Sequence, residues 1–165
     1  MSEIVLTRID DRLIHGKVMT AWVHETKGSE IIIVDDEVAQ DDFLKMIINS
    51  SAPKGITVEI FSQVEAVNFF NKSESNENNI IILAKTPQVI EYLISQNIKI
   101  DSVNVGGMGA RKDRFKLFRN ISVNEEEVNS FKNILNENVD VFVQVTPDQK
   151  KTNIKIICEV RKDGH

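Results

Sequence analysis

Three histidines occur in the 165 residues, His15, His24 and His165. The first stands in Thr7-Arg8-Ile9-Asp10-Asp11-Arg12-Leu13-Ile14-His15-Gly16-Lys17-Val18, among two carboxylates and three cations. A neutral imidazole is a competent nucleophile toward a phosphoryl group. Such transfer passes through a loose transition state with charge spread over the phosphoryl oxygens, so positioning and positive charge carry most of the catalysis. Arg12 offers a fork of donors to those oxygens. Backbone N–H groups of Gly16, Lys17 and Val18 would open a following helix and cradle the phosphate, and Gly16 keeps the approach clear of a side chain. The helix terminus and nearby cations favour the neutral, attacking ring. Either Asp10 or Asp11 would fix the ring tautomer or hold Arg12. The same residues also fit a surface turn with an ion pair worth little.

A second segment, Asn104-Val105-Gly106-Gly107-Met108-Gly109-Ala110-Arg111, follows an apolar run. Gly106, Gly107 and Met108 with Arg111 could form a second anion-binding loop, a nest of backbone N–H groups, or simply a tight crossover needing positive φ. The segment lacks the spacing of a phosphate-binding P-loop or a dinucleotide fingerprint. Arg111, Lys112, Arg114, Lys116 and Arg119 then make a basic run that suits docking to an acidic partner or a solvated edge. His24 is expected on the exposed side of its helix, Trp22 in the core, and His165 at a disordered end.

Elements that would position these residues read clearly. Ile4–Leu6, Ile31–Val34, Ile56–Phe61, Ile80–Ala84, Ile100–Val105 and Val139–Val145 are short Ile/Val-rich runs, as expected of parallel strands covered on both faces. Helical spacing between them predicts helices over Gly16–Thr26, Ala39–Ser50, Gln63–Asn71, Thr86–Gln96 and Asn124–Asn136. In the second of these Phe43, Met46, Ile47 and Ser50 share the side assigned to the core. Ser62 and the Thr86 hydroxyl are expected to cap their helices, and Glu125–Glu127 favour a helix start at Asn124. Lys72–Asn79 reads as an exposed loop. In the tail after Thr146-Pro147-Asp148, Ile154, Ile157 and Cys158 have helical spacing while Ile154, Ile156, Cys158 and Val160 alternate as in a strand, and a short helix capped by Asp148 is the preferred reading. The alternation implies an α/β fold, a doubly wound and mainly parallel sheet with helices on both faces. Ligands of such folds lie beyond the carboxyl ends of the strands, where strand order reverses.

Composition narrows the function classes. Lys and Arg number 20 against 25 Asp and Glu, a net charge of −5, which argues against nucleic acid as a partner. The one cysteine, Cys158, cannot form an internal disulfide and reads as a small buried hydrophobe. So few cysteines and histidines make a zinc cage implausible, and no metal or cofactor is expected. No apolar run approaches a membrane span, and Met1-Ser2-Glu3 does not open a signal peptide, so a cytoplasmic location is expected.

Arg8-Ile9-Asp10-Asp11-Arg12-Leu13-Ile14-His15-Gly16, with Ser102-Val103-Asn104-Val105-Gly106-Gly107-Met108, resembles the IIB component of the mannose/fructose/sorbose family of the bacterial phosphoenolpyruvate-dependent sugar phosphotransferase system. The resemblance extends through Val34-Asp35-Asp36-Glu37-Val38-Ala39 and loosens after Pro147. It implies one domain over 1–165 of the mannose/sorbose class (type 4), with 147–165 a variable tail, and a sheet of about seven strands. It implies a protein-Npi-phosphohistidine–sugar phosphotransferase, a cytoplasmic phosphocarrier associated peripherally with a membrane permease. His15 would accept a phosphoryl group at Nδ1 from a IIA partner and pass it to a sugar entering through IIC and IID subunits. Arg12 and Asp10 would hold the phosphate and orient the ring. A homo-oligomer is compatible with this scheme, and at this length no IIA domain is expected in the chain. Two positions depart from the family pattern: Lys17 stands where glutamine is common, and Ala84-Lys85-Thr86-Pro87 where relatives often carry a hydroxyl or asparagine near the proline. The alternatives from other classes are a non-catalytic regulatory or permease-docking module acting through Arg111–Arg119, and a nucleotide or small-ligand protein using Gly106–Gly109.

Overall fold

A computed structural model of the chain describes residues 3–72 and 78–155. Its order is β1 (Glu3–Asp10), α1 (Gly16–Thr26), β2 (Glu30–Val34), α2 (Asp36–Ala39), α3 (Asp42–Ser50), β3 (Thr57–Phe61), α4 (Gln63–Asn71) and β4 (Asn79–Ala84). It continues with α5 (Pro87–Ser95), β5 (Ser102–Gly107), β6 (Phe115–Phe118), β7 (Ile121–Val123), α6 (Glu125–Asn136), β8 (Asp140–Val143) and β9 (Thr152–Asn153). Seven strands form one sheet in the order β3-β2-β4-β1-β5-β8-β9, and every pairing is parallel except β8 with β9.

The strand sequences explain the layers. In β2, Ile31 and Ile33 belong to one core with Met19 of α1, Val38 of α2 and the half-buried Ile48 of α3. Ile32 and Val34 belong to the other, with Ala66 and Val67 of α4, Ile90 and Leu93 of α5, and Phe131 and Ile134 of α6. Alternate residues thus serve opposite layers, which is why the run is apolar throughout. β1 lies between β4 and β5, so the chain builds the sheet first to one side of it and then to the other. Its carboxyl end is where the strand order reverses.

All six strands and all five helices expected from the sequence are present, with differences that have local causes. The helix expected over Ala39–Ser50 is two: Asp35 accepts the Val38 N–H at 2.9 Å to start α2, and Asp41 accepts the Leu44 N–H at 3.1 Å to start α3. Phe43, Met46 and Ile47, assigned to the core, are instead exposed. Thr86 occupies the N-cap of α5 without a side-chain cap bond. Asp148 starts no helix: it accepts the Thr146 hydroxyl, Thr152–Asn153 pairs antiparallel with β8 as an edge strand, and helical backbone begins at Ile154–Lys155, where Asn153 accepts the Lys155 N–H at 2.9 Å; the rest of the tail lies outside the described residues. The basic run hides an antiparallel hairpin, β6–β7. Most of the loop at Lys72–Asn79, and Cys158 and His165, lie outside the described residues.

Candidate active site at the carboxyl end of β1

Period-two alternation carries Arg8 and Asp10 to the α1 side of the sheet, while Ile9 joins the opposite core. Arg8 has no exposed surface. Its Nη1 donates to Asn104 Oδ1 and, at 3.1 Å, to the Gln144 carbonyl, and its Nη2 donates to Asp10 Oδ2 at 3.1 Å. The guanidinium lies 5.5 Å from the centre of the Trp22 ring. That buried ring in turn donates its Nε1–H to the Val145 carbonyl at 2.9 Å.

Asp10, also without exposed surface, is the hub. Oδ1 accepts the Arg12 backbone N–H at 3.1 Å and Nε at 3.0 Å. Oδ2 faces Arg12 Nη2 at 3.0 Å, Arg8 Nη2 at 3.1 Å and His15 Nε2 at 3.1 Å. Burial pushes the Asp10 carboxyl up, but the side-chain and backbone bonds from Arg12, the charge of Arg8 and the bond from His15 outweigh it and hold the group below the usual carboxylate range. An ionised carboxylate only accepts hydrogen bonds. Nε2 of His15 therefore carries the proton, and the lone pair resides on Nδ1, which bonds to none of the described residues.

The loop delivers that nitrogen by a tight reversal. Leu13 donates its N–H to the Asp10 carbonyl at 2.9 Å, adopts φ 57° and buries its side chain in the α1-side core. A leucine in left-handed backbone is strained, and packing beneath the loop holds it there. His15 then occupies the N-cap of α1 in extended conformation. Its imidazole caps nothing and the first turn holds no acid, so the opening N–H groups have no side-chain acceptor. Arg12, whose side chain is 48% exposed, has given Nε and Nη2 to Asp10, which raises its pKa further, and its Nη1 bonds to none of the described residues. Lys17 is exposed, in the opening turn of α1, and borders a groove of about 490 Å³ with His24, Glu25 and Thr146–Asp148.

The site thus brings together Asp10, Arg12, His15 and the Gly16–Val18 backbone. Of the two aspartates, Asp10 both holds Arg12 and orients the ring. Asp11 turns away: its Oδ2 accepts the Gly109 N–H at 2.7 Å and faces Arg114 Nη1 at 3.4 Å.

The second segment is not a nest, nor a crossover with positive φ. Gly106 and Gly107 are the last residues of β5, and neither has positive φ. A Cβ on Gly106 would stand 2.0 Å from Arg8 Nη2, and one on Gly107 3.1 Å from Arg12 Nη2. These glycines are the space in which the two guanidiniums lie. Met108 is buried and bridges to Ile121, and Arg111 pairs with Asp113 at 3.7 Å and Glu127 at 3.6 Å. Within the basic run Arg114 is turned inward: its side chain is 1% exposed and donates Nε and Nη2 to Glu127 at 2.9 and 2.6 Å, while Arg111, Lys112, Lys116 and Arg119 are exposed. Arg8, Asn104 and Gln144 are the parts missed by sequence reasoning. A charged pair two apart in an apolar strand was an available signal for Arg8; the register that sets Asn104 opposite it was not.

Residues 4–164 match the family model of the PTS system sorbose subfamily IIB component. The chain is 35% identical over 160 residues to the mannose-specific EIIAB component of Escherichia coli K12, covering 96% of this chain and 50% of that protein. It spans about half the length of the mannose-specific EIIAB relatives it matches. With the fructose-specific EIIB component of Bacillus subtilis 168 it is 31% identical over 163 residues, 98% of this chain and 100% of the other. The IIBSor domain of the sorbose permease from Klebsiella pneumoniae superposes with a TM-score of 0.93 at 27% identity, covering 96% and 97% of the two chains. On this evidence the chain belongs to the sorbose-subfamily IIB components of the PTS sugar-transport family.

Proposed function

We propose that His15 is the phosphorylated nucleophile of a cytoplasmic phosphocarrier, associated peripherally with a membrane permease. Nδ1 attacks the phosphorus held on the histidine of a IIA partner. The new N–P bond forms as the old one breaks, and the bonding pair returns to the donor ring. His15 keeps its Nε2 proton throughout, and the ionised Asp10 beside it stabilises the positive charge on the phosphorylated ring. The developing charge on the phosphoryl oxygens is met by Arg12 Nη1 and by the backbone N–H groups of Gly16, Lys17 and Val18. In the second step a sugar hydroxyl, presented by IIC and IID subunits, bonds to phosphorus through its oxygen and gives up its proton to a base of the permease or to water, while the N–P bonding pair returns to Nδ1. The observation that carries this reading is the 3.1 Å contact of His15 Nε2 with Asp10 Oδ2, which commits one ring nitrogen and leaves the other as nucleophile.

The test is incubation with phosphoenolpyruvate, the general transfer proteins and a IIA partner. An acid-labile phosphate should appear on His15, at Nδ1 by ³¹P NMR, and none on His15→Ala. Equal labelling of the variant would overturn the assignment. Addition of membranes carrying IIC and IID with candidate sugars should then discharge the label and identify the sugar.

A further inference from the structure

Away from His15, one surface has an unexplained composition. Helix α3 buries none of its nine residues fully. Phe43 is 65% exposed, Met46 60%, Ile47 42% and Leu44 37%. An amphipathic helix ordinarily turns such a stripe inward, and clustered exposed apolar side chains mark a contact surface. The approach to it is acidic: Asp35, Asp36, Glu37, Asp41 and Asp42 precede the stripe without an intervening base, and Asp36, Glu37 and Asp42 are exposed.

Its place in the sheet matters. The α2–α3 segment begins at the carboxyl end of β2, the same end of the sheet at which β1 presents His15. β2 and β1 are separated only by β4, two strand spacings or about 10 Å. A partner exchanging a phosphoryl group with His15 is therefore within reach of this face.

We infer that the α3 face, Phe43, Leu44, Met46 and Ile47 within its acidic rim, docks this chain on the cytoplasmic surface of its membrane-embedded acceptor. The inference rests on the phosphocarrier function proposed above. The argument for this occupant is charge. Cytoplasmic loops of membrane proteins carry an excess of Lys and Arg, so an apolar contact that contains one base, Lys45, and is bordered on its amino-terminal side by five carboxylates meets opposite charge there.

The double variant Phe43→Ser, Met46→Ser removes the largest exposed side chains and touches no group at the His15 site. Co-sedimentation with vesicles containing the IIC and IID permease should weaken by about tenfold or more, as truncation of apolar anchors does at other interfaces. Sugar phosphorylation by those vesicles should fall with it, while His15 labelling from phospho-IIA stays within about twofold. Glu37→Lys with Asp42→Lys should weaken vesicle binding and flatten its dependence on salt. Loss of IIA labelling in the serine variant would assign the face to the donor and overturn the proposal. Unchanged vesicle binding would overturn it as well, as would a self-association in the wild type that the variant abolishes. Vesicle binding that depends on α3, found with a His15 that takes no label, would sink the phosphocarrier function and leave the docking surface standing.

Discussion

Two helix starts in this chain answer the same physical problem in opposite ways. Helix α6 satisfies its own N-terminus: Asn124 accepts the Glu127 N–H at 2.8 Å, the Glu127 carboxylate accepts the Asn124 N–H at 2.9 Å, and Glu125 and Glu126 add charge of the sign the dipole favours. Helix α1 leaves its N-terminus open, with no side-chain cap, no acid in the first turn and Lys17 in their place. The contrast extends over the sheet. α2, α3, α4 and α6 each have a side-chain cap and an acid in the first turn, whereas α1 and α5 have neither. The uncapped pair follows β1 and β4, adjacent strands whose register sets Ile9 beside Ala84. Stabilising groups are thus withheld at the helix start where we propose that the phosphoryl group binds, and supplied at the starts of α2, α3, α4 and α6.

The largest expected effect comes from breaking the hub beside the open terminus. Asp10→Asn leaves the buried Arg8 without its counter-charge, which should cost about 3 kcal/mol in a urea titration. It also frees the imidazole to take the wrong tautomer, and the rate of His15 labelling should fall by roughly 10³-fold or more. The same carboxylate gives stability a definite pH dependence. Its folded pKa is below the unfolded one, so its contribution is complete above the unfolded value of about 3.9 and is lost as acidification passes through the lowered folded value. Urea midpoints of wild type should drop more steeply below that pH than those of Asp10→Asn.

A smaller effect should follow from making α1 resemble α6. Lys17→Glu supplies the missing acid, so thermal stability should hold or rise by about 0.5 kcal/mol, while labelling of His15 slows by about tenfold as an anion now competes for the site. Opposite signs in melting temperature and transfer rate are the signature to look for. The smallest effect is the converse. Asn124→Ala should cost about 1 kcal/mol and leave the labelling rate unchanged, since α6 starts with no role in transfer. A matching loss of rate would break the contrast.

What could be read in advance follows the range of the forces involved. Ile and Val runs declare parallel strands because burial on both faces needs no alternation, and the histidine loop was visible because its chemistry is contiguous in sequence. The choice between Asp10 and Asp11 depended on which side of the strand end faces α1. The role of Gly106 depended on Arg8, 98 positions earlier, whose guanidinium fills the space above it. The hairpin β6–β7 was obscured by its own charges, since Arg114 makes its bonds with a carboxylate of α6. Periodicity identified the apolar stripe of α3 correctly, but a stripe records only that something covers it, not whether the cover belongs to the same chain.

The charge at the end of β1 has a consequence for the order of encounters. Arg8, Arg12 and Lys17 against Asp10 give the site a net charge of +2, with Asp11 turned to Arg114. A bound phosphoryl group brings roughly −1.5 to −2, by analogy with other phosphorylated side chains. In the proposed carrier, loading would nearly extinguish the local field that draws in a negatively charged donor, and unloading would restore it. The charge of the site alone would then distinguish the form that receives a phosphoryl group from the form that releases one.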